Sequence, residues 1–281
     1  MSLAGSNMPA PGTKSTGHWQ PSALPGVSEQ GYLVAALYGD LVGHPWRDPL
    51  DTSHPLFLFD HRSSDMGWTD DLHDGNSAWK VYEAGPEQDA VEAPANRSPA
   101  FWFHAGIGIV PDGRSLPIWP FLRCAGDVAA RIGTFDLHAV QLLMPVQKLH
   151  QQRGKGFIPA LQNYSWFIAT DPSARTEVRV TLDSGEDPSI PIVASEMLAL
   201  IQSFDQQVLV CDSLIDHDPL APEFPLGDQF WANPSLHKAV ISGTIAEWSV
   251  DALGWLAAFL SDVAADLGVS TPLLLTATRL S

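Results

Sequence analysis

Cysteine is nearly missing from this chain. The two present, Cys124 and Cys211, lie inside apolar segments, so no disulfide framework is expected and both thiols read as buried and reduced. Basic residues are scarce as well: 15 Lys and Arg stand against 32 Asp and Glu, a formal net charge of −17 over 281 residues. Such a chain is repelled by phosphate backbones and anionic lipid, which excludes nucleic acid and membrane surfaces as expected partners. Long hydrophobic runs are absent too. The longest uncharged apolar stretch, Ala252 to Ser261, is far too short to span a bilayer. No basic start followed by an apolar stretch opens the chain, so no signal peptide is expected. These absences together lead to the expectation of a soluble, cytoplasmic protein.

Familiar chemical signatures are also lacking. Gly106-x-Gly108 has no third glycine and opens no helix, so it is not a dinucleotide fingerprint, and Gly12-Thr-Lys-Ser15 lacks the first glycine of a phosphate loop. No Gly-x-Ser-x-Gly elbow, paired Cys-x-x-Cys motif or heptad array occurs. No motif points to a particular cofactor.

What is present is a core and a repeat. Hydrophobic residues make up 45% of the chain, enough for one large domain or two halves of ordinary size. Strand, amphipathic helix and strand recur three times, over Phe101 to Val146, Thr176 to Leu214 and Lys238 to Leu280. In the third unit Ser249 suits an N-cap, and Ala252, Leu256, Phe259, Leu260, Val263 and Leu267 share one helical face. In the second, Ile190, Val193, Met197, Leu198 and Ile201 do the same. The first has its helix over Ile118 to Ile132, with prolines in or before the first turn and a stop at Gly133. The strands after these helices, Leu137 to Met144, Val208 to Leu214 and Leu273 to Thr278, are largely unbroken apolar runs, as expected of strands covered on both faces.

Joining the second and third units end to end predicts β-α-β-β-α-β over residues 176–280. That is the ferredoxin-like order of an α+β fold, with an antiparallel sheet and both helices on one face. A degenerate second copy precedes it, in tandem. Its extra pieces are a helix over Ser28 to Val42, a strand over Leu56 to Asp60, a polar loop over 61–76 and a strand over Ser77 to Ala84. Tyr164 to Thr170 is expected to add a strand between the halves, and Gly85 to Pro99, rich in Pro, Glu and Ala, to mark a boundary. The expected organisation is a flexible arm at 1–24, a decorated half at 25–170 and a regular half at 171–281.

Polar residues that interrupt this apolar pattern are the candidate sites. His104 and His138 each break an apolar strand of the first unit. If those strands pair, the two imidazoles share a face near Trp102 and become candidates for general acid or base chemistry in a cavity between sheet and helices. Lys148, His150, Arg153 and Lys155 form the one basic cluster, around the glycines of the 153–156 segment; with Trp102 they are candidates to hold a small organic or anionic ligand. Asp60, His61, Asp70, His73 and Asp74 carry oxygen and nitrogen donors that a metal would use, but their spacing matches no established metal motif. Asp216, His217, Asp218, Glu223 and Asp228 form a second acidic stretch of the same kind.

Trp46, Trp68, Trp79 and Trp231 lie in or beside loops, where amphipathic rings line ligand or partner surfaces. The pattern therefore supports binding of a small molecule, with a protein–protein interaction module as the alternative and a metal-dependent enzyme built on the 60–74 loop as a third reading. A homo-oligomer is compatible with each.

Overall fold

In the computed structural model, which describes residues 31–47, 54–69, 77–85, 99–150, 156–215, 222 and 235–280, strands and helices alternate along the chain. The first part runs β1 (Tyr32–Gly43), α1 (Pro55–Asp65), β2 (Trp79–Gly85), β3 (Phe101–Ile107), α2 (Ile118–Ile132) and β4 (Gly133–Met144). A short α3 (Gln147–His150) and three 3-10 turns between Pro159 and Ala174 follow. The second part runs β5 (Thr176–Asp183), α4 (Ser189–Ser203), β6 (Leu209–Ile215), β7 (Lys238–Ile245), α5 (Val250–Asp266) and β8 (Leu273–Arg279). No helix among the described residues is long and apolar enough to cross a membrane.

The eight described strands form one antiparallel sheet in the order β2-β3-β1-β4-β8-β5-β7-β6. Each part is therefore a β-α-β-β-α-β unit, and β4 and β8, the last strand of each, pair to join the two. The fold is α+β. Outward from that seam both units place their strands in the same sequence: last, first, third, second. Helices α1, α2, α5 and α4 pack side by side in that order, on one face of the sheet.

Three expected elements differ. Residues expected as a helix over 28–42 form β1 from Tyr32 onward. Tyr32 to Tyr38 are all buried, in a strand that is paired on both sides. An unbroken apolar run satisfies a helical and a strand period alike, so periodicity does not separate them. Conversely, Leu56 to Asp60 lie in α1 rather than in a strand. His54 caps that helix by accepting the Leu56 N–H at 3.3 Å on Nδ1, Pro55 begins it, and Phe59 and Ser63 are its buried face one turn apart. The helix also takes up the start of the expected 61–76 loop. Residues Tyr164 to Ala169 form a 3-10 turn, since β4 is already paired by β1 and β8, and β5 by β7 and β8, leaving no slot for another strand.

The Gly85 to Pro99 segment, expected as a boundary, connects the paired strands β2 and β3 within one unit. Helix α2 does end before Gly133, which is extended and begins β4 rather than forming a left-handed cap. A Cβ on Gly133 would lie 2.3 Å from the Val42 carbonyl oxygen of β1.

The core between sheet and helices is filled. Phe59 packs at 4.7 Å from Phe103 and 5.1 Å from Phe121, and Trp255 stacks at 4.9 Å on Phe259. Helix α5 is more enclosed than a single apolar face implies: every residue from Ala252 to Ala265 is buried. The sheet lies beneath it, α2 and α4 beside it, and the 3-10 turn at Pro159–Gln162 also packs on it. A helix so enclosed is apolar on all sides except where a polar side chain has an assigned partner. Here those side chains are Ser261, which donates to the Ala257 carbonyl at 2.8 Å, and Asp262, which accepts the Ala160 N–H at 2.9 Å and the Ser115 hydroxyl at 2.6 Å.

Candidate binding face opposite the helices

Side chains alternate across a strand, so the residues facing the helices determine those facing away. Leu33, Ala35 and Leu37 of β1, Phe101, Phe103 and Ala105 of β3, Val140 and Leu142 of β4 and Leu275 and Ala277 of β8 belong to the helix-side core. The opposite face receives Tyr32, Val34, Ala36 and Tyr38, then Trp102 and His104, Ala139 and Gln141, Thr276 and Thr278, and Thr181. Most of these are buried too.

The centre of this face is polar. Strand register sets Ala36, Gln141, Thr276 and Thr181 in one row across β1, β4, β8 and β5. Tyr38 donates its hydroxyl to Gln141 Oε1 at 2.6 Å, and Gln141 Nε2 donates to Thr276 Oγ1 at 3.2 Å and to the Pro222 carbonyl at 2.7 Å. Gln141 is 2% exposed, so these bonds form away from water. The hydroxyls of Thr181 and Thr278 are buried beside this ladder with no hydrogen-bond partner among the described residues. A buried hydroxyl without a partner costs about 1–3 kcal/mol, and both lie on the second unit's side of the seam, on β5 and β8.

A second cluster lies on the same face toward β2. His104 is 3% exposed and stands opposite Val34 on one side and Glu83 on the other. Its ring lies 5.1 Å from that of Tyr32 and 5.3 Å from that of Tyr82. Gly106 makes this possible, because a Cβ there would sit 2.6 Å from the Tyr82 ring. Burial pushes the His104 imidazole down to about 4. Desolvation likewise holds Glu83 above the ordinary carboxylate range, and raises Tyr32 with a smaller contribution from Tyr82. At neutral pH His104 is therefore an uncharged ring with one donor and one acceptor nitrogen. A base this weak suits hydrogen bonding to a ligand better than proton transfer at pH 7.

The other expected site residues are dispersed. Strands β3 and β4 do not pair; β1 lies between them. His104 is level with Val34 and His138 with the Tyr38/Gly39 irregularity, four strand positions or about 13 Å further along. His138 is the extra residue of that β-bulge, on the solvent side, with Nε2 at 3.5 Å from both Asp40 and Asp136. Neither histidine lies in a cavity between sheet and helices, since that space is the packed core.

Trp102 is half-buried on the candidate face, against Ala36, Tyr38 and Ala139. Lys148 is on α3, while Arg153 and Lys155 lie outside the described residues, as do Asp70, His73, Asp74 and the acidic stretch Asp216, His217, Asp218, Glu223 and Asp228. Asp60 and His61 are exposed on α1. Among the described residues no group of three or more His, Cys, Asp or Glu side chains is placed to hold a metal ion. Of the tryptophans, Trp79 is fully buried with Trp68 stacked on it at 5.7 Å, Trp46 is 68% exposed, and Trp231 lies outside the described residues.

Sequence reasoning passes over Gln141, Thr181, Thr276 and Thr278. One signal for them is present: Thr276 and Thr278 recur with period two in an otherwise apolar strand.

A cleft of about 610 Å³ also opens where the two units meet on the helix side, between α2, the start of β4 and the start of α5. Its charges are already paired: Arg123 bonds Asp251 and lies 3.6 Å from Asp127, and Arg279 lies 3.4 Å from Asp136. In comparison with known proteins, no family model, no curated protein and no solved structure matches the chain.

Proposed function

We propose that the chain is a tandem pair of ferredoxin-like units whose joined sheet binds a small organic molecule on the face opposite the helices, across the β4–β8 seam. The duplication reading is supported by the common strand placement in both units, which is the arrangement expected of the β-α-β-β-α-β motif. The binding reading rests on one observation: Thr181 and Thr278 present buried hydroxyls without partners among the described residues, beside the Tyr38–Gln141–Thr276 ladder. Native cores satisfy nearly all such groups, so each exception calls for a cause, and a bound molecule that supplies the missing bond is one. Pockets of this kind combine apolar walls with a few convergent polar groups, and here Val34, Ala36, Leu143 and Trp102 supply the apolar part. The ligand class that fits is a small molecule with two or more hydrogen-bonding groups and an apolar body, with His104 offering a further neutral contact.

Native mass spectrometry of the full chain purified from its source cells tests this. A small molecule retained by the wild-type protein and lost from a Thr181→Val, Thr278→Val double variant of unchanged fold supports the reading. Retention by both, or by neither, counts against it.

A second reading, a protein-interaction module, draws on Trp166 and Ile168, which are 68% and 71% exposed in the 3-10 turn between the units. Its test is whether a Trp166→Ser, Ile168→Ser variant loses partners captured by the wild-type chain in crosslinking.

A further inference from the structure

Three arginines, Arg62, Arg123 and Arg279, each lie beside an aspartate. Arg175 is different. It stands just before β5, half-buried, and its two hydrogen bonds go to neutral oxygens. Nε donates to Thr244 Oγ1 at 3.3 Å, and Nη1 donates to the Gln207 carbonyl at 2.8 Å. The remaining terminal nitrogen, Nη2, is buried and has no acceptor among the described residues. The guanidinium is thus anchored by two neutral groups with no carboxylate bonded to it, in a chain with a twofold excess of carboxylates.

Arg175 also lines a cavity of about 400 Å³, separate from the candidate face. One wall is the 3-10 turn carrying Tyr164, Phe167 and Ile168, and the rim includes Asp171 and Asp205. Phe167 is fixed by packing on Trp119 and Trp255, so the apolar wall is rigid. Asp171 does not serve Arg175. Its carboxylate accepts the Ser173 N–H at 2.9 Å.

We infer that this cavity binds a monoanionic organic acid, with the carboxylate on Arg175 and an apolar body against Tyr164, Phe167 and Ile168. Guanidinium recognises carboxylate through paired, charge-assisted hydrogen bonds. Nη2 supplies the unused donor, on a half-buried residue that already lines the cavity. The two rim aspartates select the charge: a carboxylate with one negative charge gains from Arg175, whereas a dianion such as phosphate meets added repulsion. The volume admits a single ring with a short side arm, at the lower end of ordinary ligand pockets.

Calorimetric titration of the full chain at pH 7 with benzoate, benzamide and inorganic phosphate tests the inference. Benzoate is expected to bind saturably at one site, benzamide not to bind, and phosphate to bind more weakly than benzoate. Arg175→Gln should weaken benzoate by about tenfold or more, the loss expected for one charge-assisted contact. Because Arg175 also ties Gln207 to Thr244, a second variant keeps the test independent of folding. Ile168→Asp changes an exposed wall residue, leaves Arg175 in place and should weaken benzoate comparably by repulsion. Absence of saturable benzoate binding, equal binding of benzamide, tighter binding of phosphate, or benzoate affinity unchanged in Ile168→Asp would each overturn the inference. None of these outcomes bears on Thr181 and Thr278, neither of which lines this cavity.

Discussion

Gln141 Nε2 donates to Thr276 Oγ1 at 3.2 Å across β4 and β8, a side-chain bond that crosses the seam between the two β-α-β-β-α-β units. The same amide accepts from Tyr38 through its oxygen, so one buried side chain ties β1 and β4 of the first unit to β8 of the second.

Replacing Gln141 by Leu keeps the volume but leaves the Tyr38 hydroxyl and the Thr276 hydroxyl without this partner. Unfolding in urea should show a loss of about 1–3 kcal/mol, with the transition still single. A variant as stable as wild type would mean that the ladder adds nothing to the seam.

Thr181→Val and Thr278→Val remove hydroxyls that have no partner among the described residues of the folded protein. Each should stabilise the ligand-free chain, by about 1 kcal/mol, since the desolvation cost disappears while the shape is kept. The midpoint of denaturant unfolding measures this. A fall in the midpoint for both would show that the hydroxyls are satisfied within the chain.

His104 gives the chain a pH dependence of defined sign. Its folded value of about 4 lies below the ordinary 6.5, so between these values the unfolded chain binds more protons than the folded one. Stability is then full above pH 6.5 and falls as pH drops toward 4, by about 3 kcal/mol at the limit. Glu83 and Asp183, both raised by desolvation, act in the opposite sense in the carboxylate range. The histidine slope should therefore be read at the upper end of its window, near pH 5.5. His104→Gln should flatten stability there, and an imidazole NMR titration near 6.5 in the wild-type protein would refute the assignment.

Asp262 accepts from Ala160 N and Ser115 Oγ, holding the 3-10 turns onto α5. Asp262→Leu should cost about 1–3 kcal/mol by leaving the buried Ala160 N–H unsatisfied and releasing the half-buried Ser115 hydroxyl. It should also speed proteolysis within residues 156–170 ahead of global unfolding. Equal cleavage rates in variant and wild type would remove Asp262 from this role.

Much of the second unit is legible in the residue order alone. Its helices begin and end close to the residues their caps and apolar spacing indicate, and Ser249 accepts the Ala252 N–H at 3.1 Å, as a cap should. The first unit is harder. The apolar run from Tyr32 to Tyr38 and the short run from Leu56 to Phe59 carry no periodicity that separates strand from helix. For β1 the deciding influence is non-local, pairing with a neighbour on each side, while Pro55 and His54 start α1.

The candidate site divides in the same way. That His104, Gln141, Thr276 and Thr278 interrupt apolar strands is written in the residue order, and so is the net charge of −17. Which face those residues occupy and which of them meet depend on strand pairing. β1 inserts between β3 and β4 and keeps His104 and His138 apart, while β8 joins β4 and brings Gln141 to Thr276 over a separation of 135 residues. A local pattern sets the alternation of side chains along each strand. Only pairing over long distances in sequence turns that alternation into a buried polar row, because burial and hydrogen bonding are properties of neighbours that the local pattern does not contain.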